Sequence, residues 1–258
     1  MLTYFYFSFA ITMIKIIKAQ YKEHIMAFST PYFDQQTIAR EASKILIETE
    51  AVLFNAKEPY TYTSGRKGPV YVDCRKLIAF PRARGVLMDM AASMLAQNVG
   101  LESLDVIAGG ETAGIPYAAF LSERMNLPMA YVRKKPKGFG RMAQIEGVVE
   151  EGDNVILVED LQTDGGSKKT FVNALREAGA QVDHAFVVFH YGIFEASQKN
   201  MDDLGITLHS LTDWPTVLET AQKNKYFDSE TLDSVRMFLN DPVQWSVDHG
   251  GAGEEDAA

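Results

Sequence analysis

At 258 residues and 47% hydrophobic, the chain is long enough to bury one substantial core, and its formal net charge of −9 argues against general nucleic-acid binding outside a local basic patch. A single cysteine, Cys74, excludes an internal disulfide and fits a reducing, cytoplasmic setting. The five histidines, His24, His184, His190, His209 and His249, show no metal-ligand spacing, so a zinc site is not expected.

Residues 1–14, MLTYFYFSFAITMI, are apolar but fall short of the roughly 20 residues that span a bilayer. Lys15 and Lys18 follow that run, whereas a signal peptide carries its cations first, so neither an anchor nor a signal is expected and no membrane partner is implied. Met26 opens a polar, cap-like stretch, AFSTPYFDQQ. Residues 1–25 are therefore read as an over-extended or disordered extension, 26–246 as the folded domain, and 247–258 as a disordered acidic tail.

From Phe33 to about Ala56, Ile38, Ala42, Ile45, Leu46, Val52 and Leu53 recur at helical spacing, predicting a helix interrupted once. YTYTSGRKGPVYVD, residues 60–73, alternates, turns through Gly65 to Gly68 and alternates again, which predicts a hairpin with a four-residue loop. Pro81 precedes a helix over Arg82 to Gln97. Asp105 to Ala108 read as a strand ending in Gly109-Gly110, Ile115 to Met125 as a helix, and Met129 to Arg133 as a strand. Val155 to Val158 make another strand, followed by a helix that Gly179 stops, and Val182 to His190 a further one. Residues 195–245 read as helix, a short strand near Ile206 to Leu208 and more helix, with Trp214 and Trp245 in the core. Strands alternating with helices imply right-handed crossovers. The fold class is therefore α/β, a mostly parallel sheet flanked by helices, with ligands at the carboxyl ends of its strands.

The most specific stretch is VILVEDLQTDGGSKKTFVNALREAGA, residues 155–180. A buried strand leads into two acids, Glu159 and Asp160, then into the small-residue loop Thr163 to Ser167. The helix that follows carries Phe171, Val172, Leu175 and Ala178 on one face. Free N–H groups and the positive end of the helix dipole suit a phosphate dianion at such a loop, and Gly165 and Gly166 let the backbone approach it. The acids would repel that phosphate unless they faced sugar hydroxyls or a magnesium ion, so a phosphorylated ribose satisfies both halves. GGETAG, residues 109–114, lacks the Lys-Ser/Thr ending of a P-loop, and KGFGR does not lie between a strand and a helix.

Across YVRKKPKGFGR, residues 131–141, Arg133, Lys134, Lys135, Lys137 and Arg141 occur without an acid. Pro136, Gly138 and Gly140 make this a loop, and concentrated positive charge suits the negative charge that develops on a departing pyrophosphate. On the residues alone, solvated acids, a solvated basic loop and a nucleic-acid patch stay open.

The stretch at 155–180 resembles the phosphoribosyl pyrophosphate (PRPP) signature of the type I phosphoribosyltransferases, in which a hydrophobic strand, two acids and a T-x-G-G-S-like turn recur. SGRK-x-P followed by an aromatic (Ser64 to Tyr71), GG-x-x-x-GIP (Gly109 to Pro116) and RKKPKG resemble, in the same order, the orotate-using branch of that family, over roughly residues 34–192. The resemblance implies the type I phosphoribosyltransferase fold with a small hairpin-containing hood. It also implies transfer of a 5-phosphoribosyl group from PRPP to orotate, giving orotidine 5-phosphate and pyrophosphate.

By the same resemblance, Glu159 and Asp160 hold the ribose hydroxyls, and Leu161, Gln162, Thr163, Asp164, Gly165, Gly166 and Ser167 complete the PRPP site with Thr112. Arg133, Lys134 and Lys137 are the catalytic cations. Thr163, Tyr71 and Arg66 meet orotate. The family is a homodimer whose basic loop closes over the partner subunit's site, and it requires Mg²⁺ held mainly by PRPP with no protein metal site. Four positions depart from the family pattern: Thr63 and Phe139 stand where a lysine and a histidine are common, Glu111-Thr112-Ala113 lacks a lysine, and His190-Tyr191 replaces an arginine that meets the orotate carboxylate. Arg66 or Arg75 are the remaining candidates for that carboxylate. Transfer to another nucleobase, and a non-catalytic PRPP-sensing regulator, stay open on the sequence.

Overall fold

A computed structural model describes residues 33–138 and 144–253. The expected N-terminal extension, the expected start at Met26, and Phe139, Gly140 and Arg141 of the basic loop lie outside the described residues. Helix α1, Gln35–Glu48, starts at Asp34, whose carboxylate accepts from the Thr37 backbone N–H at 3.0 Å. It ends before the predicted boundary near Ala56, because Val52–Phe54 forms strand β1 instead. Two β-branched or aromatic residues flank a leucine there, and antiparallel pairing with β4 (Val70–Val72) overrides the helical period.

The hood contains β2 (Tyr60–Thr61) paired antiparallel with β3 (Lys67–Gly68). The turn lies earlier than predicted, over residues 62–66: Tyr62 N–H donates to Arg66 O at 2.8 Å and Gly65 N–H to Tyr62 O at 2.9 Å, which leaves Lys67 and Gly68 inside the strand. Pro69, which has no N–H, ends that ladder, and the chain then crosses to pair β4 with β1. A 3₁₀ helix, Cys74–Ala79, leads into α2 (Pro81–Asn98), with Pro81 in its first turn.

The remaining elements alternate. They are β5 (Val106–Gly110), α3 (Gly114–Met125), β6 (Met129–Val132), β7 (Ile145–Glu146), β8 (Asn154–Gln162), α4 (Lys168–Glu177), β9 (Gln181–His190), α5 (Glu195–Leu204) and β10 (Thr207–Asp213), followed by α6 (Trp214–Lys223), α7 (Ser229–Asn240) and α8 (Pro242–Asp248). The main sheet runs β10-β9-β8-β5-β6-β7, parallel except for β7. Alternate β8 residues divide between two cores. Ile156 and Val158 join the one built with α1, α2, α3 and α6, while Val155 and Leu157 join the one built with α4 and α5.

Strand β8 is nine residues long, where the sequence predicts four. Its pairing with β5 stops at Gly109↔Val158, yet its pairing with β9 continues to Gln162↔His190. Glu159 and Asp160 thus sit within a strand extension that has β9 on one side and no strand partner on the β5 side. The ends of two parallel strands and the loop after each converge there.

Trp214 and Trp245 are buried, as their apolar surroundings predict. Residues 247–253, read from the sequence as part of a disordered tail, instead pack on the hood. Ala252 N–H donates to Gly65 O at 3.0 Å, and Lys67 Nζ donates to His249 O at 3.1 Å. Gly251 has no side chain, and a Cβ there would lie 2.6 Å from Lys67 N, so this contact is made by backbone atoms that carry no hydropathy signal. Residues 254–258 lie outside the described set. Among the described residues, no helix is long and apolar enough to cross a membrane.

His209 Nε2 lies 3.1 Å from His184 Nδ1. Burial first, then the neighbouring His184, pushes the His209 pKa down from 6.5 to about 4. The unfolded chain therefore takes up a proton at a pH where the folded chain does not. Stability is fully present above about 6.5 and declines as pH falls from there toward about 4. Thermal unfolding at a series of pH values should show the Tm of the wild type dropping across this window and a shallower drop for His209→Gln; identical acid profiles would exclude this histidine as a source of the loss.

Candidate active site

A cleft of about 410 Å³ opens at the carboxyl ends of β5 and β8. Three glycines set its floor. A Cβ on Gly109 would meet Gly114 O at 2.7 Å, one on Gly110 would meet Phe171 Cε2 at 2.9 Å, and one on Gly114 would overlap the Val158 carbonyl oxygen. The 110–114 loop is therefore seated directly on β8 and α4. Its Glu111–Thr112 peptide is cis, Glu111 N–H donates to Val132 O at 2.9 Å, and Glu111 Oε2 accepts from Lys134 N–H at 2.7 Å. That last bond ties the start of the basic loop to the cleft, where Lys134 is a lining residue.

On the opposite wall, Thr163 to Ser167 turn from β8 into α4, with Gly165 at φ +80°. Asp164 organises the turn: its carboxylate accepts from Gly166 N–H at 3.1 Å, and its carbonyl accepts from Asn200 Nδ2 at 2.8 Å. Ser167 does not cap the helix with its side chain. Its Oγ donates instead to Glu159 Oε1 at 3.3 Å, and Glu159 Oε2 meets Lys168 Nζ at 2.6 Å. Lys168 is 1% exposed. The sequence reading missed it, although its position three, four and seven residues before Phe171, Val172 and Leu175 sets it on the apolar face of α4.

Burial raises the pKa of Asp160 above 3.8, and the adjacent Glu159 charge adds to that; the backbone N–H groups of residues 160 and 161, and Arg75, act in the opposite direction. Arg75 lines the cleft from the hood side, paired with Asp73 at 2.8 Å. Thr112 and Thr163 line it too. Leu161 and Gln162 border the cleft, but the Leu161 side chain packs on the core. Gln162 Nε2 donates to Ser197 Oγ at 2.7 Å, and the same Oγ lies 2.8 Å from His190 Nε2, so these groups brace the loop from behind. Burial lowers the His190 pKa, which favours its neutral form.

Other sequence-predicted residues stand apart from the cleft lining. Arg133 and Lys137 both face Glu146 Oε1 on β7, at 3.5 and 3.8 Å. Tyr71 is exposed with its ring 5.6 Å from that of Tyr60, and the Nε of Arg66 is buried without a hydrogen-bond partner.

A parallel sheet carries paired acids, a glycine turn at a helix N-terminus and a second glycine loop across the cleft, the combination the sequence reading expects of a ribose-phosphate site. Residues 85–219 match the phosphoribosyl transferase domain, and the chain belongs to the phosphoribosyltransferase family. It is 51% identical to an orotate phosphoribosyltransferase of Agrobacterium fabrum over 86% of this chain and 96% of that one. To the Ruegeria orotate phosphoribosyltransferase it is 54% identical, over 83% and 95% of the two chains. The crystal structure of orotate phosphoribosyltransferase from Aeropyrum pernix superposes with a TM-score of 0.58 at 29% identity, covering 70% of this chain and 99% of that one. Within the family, the chain falls among the orotate phosphoribosyltransferases.

Backbone contacts at Gly114 should make it intolerant of even one methyl group. Gly114→Ala is expected to cost ~1–3 kcal/mol through overpacking, lowering Tm by roughly 2–10 °C, and to depress activity. Gly138, which has nothing within 4 Å of a built Cβ, should accept alanine with an unchanged Tm. Differential scanning fluorimetry of the two variants compares them directly.

Proposed function

We propose that the protein transfers the 5-phosphoribosyl group of PRPP to orotate, forming orotidine 5-phosphate and releasing pyrophosphate. One juxtaposition carries this reading: the acids of β8, the Thr163–Ser167 turn and the Gly110–Gly114 loop share a single cleft with Lys134 at its rim. The 5-phosphate rests on the Thr163–Ser167 amides, the ribose hydroxyls face Glu159 and Asp160, and the pyrophosphate extends toward Thr112 and Lys134.

The C1–oxygen bond to pyrophosphate breaks as the orotate ring nitrogen forms its bond to C1. Positive charge gathers on the sugar and negative charge on the departing oxygens. Lys134 stabilises the latter, joined by Arg133 and Lys137. Because Arg133 and Lys137 face Glu146, they complete a site either by leaving that carboxylate or by reaching the cleft of a second copy. A homodimer with basic loops acting across subunits supplies them in the second way. Positioning and electrostatics then do most of the catalysis, since orotate's ring nitrogen is already acidic.

Magnesium fits as a cation held chiefly by the substrate. Asp160, a cleft carboxylate, offers the hard oxygen donor that such an ion accepts. When bound, the ion would neutralise pyrophosphate charge and lower the barrier to its departure. For the orotate carboxylate, Arg75 is the better-placed cation, because it lines the cleft and Arg66 does not. Thr163, also in the lining, is within the same wall, and Tyr71 flanks the hood side.

Incubation with PRPP, Mg²⁺ and a panel of nucleobases tests the reading by pyrophosphate release. Release with orotate alone is the expected result; release with a different base selects another transferase, and none with any base selects a PRPP-binding regulator. Lys137 is 73% exposed in its side chain. Lys137→Ala should therefore lower kcat by about 10²–10³ with an unchanged Tm, and near-wild-type kcat would remove this lysine from the mechanism.

A further inference from the structure

We infer that Lys168 is a positioning residue for the ribose-phosphate substrate, cancelling the charge of Glu159 and pinning its carboxylate so that a phosphate dianion can settle on the adjoining Thr163–Ser167 loop. This rests on the reading of the cleft as a PRPP site. A lysine here runs against three preferences at once. Its side chain is 2% exposed, so its ammonium group is removed from water. It is the first residue of α4, at the positive end of the helix dipole. It also occupies the helix face of Phe171, Val172 and Leu175, all buried, where a methionine or leucine would pack without a desolvation cost. Stability alone therefore gives no reason for a cation at this position.

The geometry supplies a reason. Both Glu159 oxygens are held by consecutive residues that end the phosphate loop, Oε1 by Ser167 Oγ at 3.3 Å and Oε2 by Lys168 Nζ at 2.6 Å. From the other side Gly110 leaves just enough room, since a Cβ there would lie 3.1 Å from Glu159 Cγ. The acid and the loop are thus locked as one unit. Charge makes the same point. Asp73, Glu111, Glu159, Asp160 and Asp164 all line a cleft that must accept a highly anionic substrate. Asp73 is paired with Arg75, Glu111 with the backbone N–H of Lys134, and Asp164 with that of Gly166. Without Lys168, Glu159 would keep only the Ser167 hydroxyl and would carry an uncancelled charge beside the loop that receives the dianion.

The test is a double-mutant cycle on the full chain, with PRPP and orotate varied separately. Lys168→Met should raise KM for PRPP at least about tenfold, the order expected from one unscreened like charge at close range, and leave KM for orotate within about twofold. In a Glu159→Gln background the same Lys168→Met change should alter KM for PRPP less than about twofold, because the charge it offsets is gone. A folded Lys168→Met protein with wild-type KM for PRPP overturns the inference. So does a large KM loss that persists in the Glu159→Gln background, which would make Lys168 a direct phosphate ligand. If Lys168→Met alone fails to fold, Lys168→Gln, which removes the charge and can still donate to Glu159, takes its place in the cycle with the same expected results. Calorimetric titration of ribose 5-phosphate separates this from the orotate reading: weakened binding by Lys168→Met supports the role even where the wild type fails to use orotate, and unchanged binding overturns it.

Discussion

The site depends on a difference in length between two neighbouring parallel strands. β5 ends at Gly110, while β8 continues to Gln162 with β9 alone as its hydrogen-bonded neighbour. That step leaves one edge of β8 without a strand partner over Glu159 and Asp160, and the 110–114 loop packs there and faces the 163–167 turn across the cleft. The glycines make the step usable. Side chains at 109, 110 or 114 would push the loop off β8 and α4 and close the gap between the two walls.

Within that frame, electrostatics governs the chemistry. An acidic protein must bind an anionic substrate in a cleft with five carboxylates, and it does so by giving most of them a local partner. Some partners are backbone N–H groups and others are cations, Arg75 for Asp73 and Lys168 for Glu159. The cations of the basic loop are distributed differently. Lys134 lines the cleft, whereas Arg133 and Lys137 share Glu146 on the sheet edge, so part of the positive charge lies outside the site. On the hood side Arg75 lines the cleft, and the proposed orotate reading gives it the role of the arginine that His190-Tyr191 lacks. His190 is instead drawn into the Gln162–Ser197 brace behind the loop.

The sequence by itself determined the alternation of strands and helices, the α/β class, the buried tryptophans and the composition of both glycine loops. These features rest on local causes: hydrophobic period, turn chemistry, and the need for small residues where a loop must lie close to a phosphate. Even Lys168 was legible in principle, since helix pitch sets it beside Phe171, Val172 and Leu175, but a lysine at the start of a helix reads as solvated until its neighbour across the turn is known. Tertiary structure alone decided the rest. Strand pairing converted Val52–Phe54 from helix to strand, extended β8 through the acids, and moved the hood turn back from Gly65–Gly68, because ladder partners far apart in sequence outweigh local propensity. Hydrogen bonds from Ala252 N–H to Gly65 O and from the Lys67 ammonium to His249 O held residues 249–252 on the hood, where glycine-rich composition signals disorder. Side-chain pairing decided which charges face the cleft: Coulomb interaction and desolvation depend on distances in space, which the order of residues along the chain does not fix.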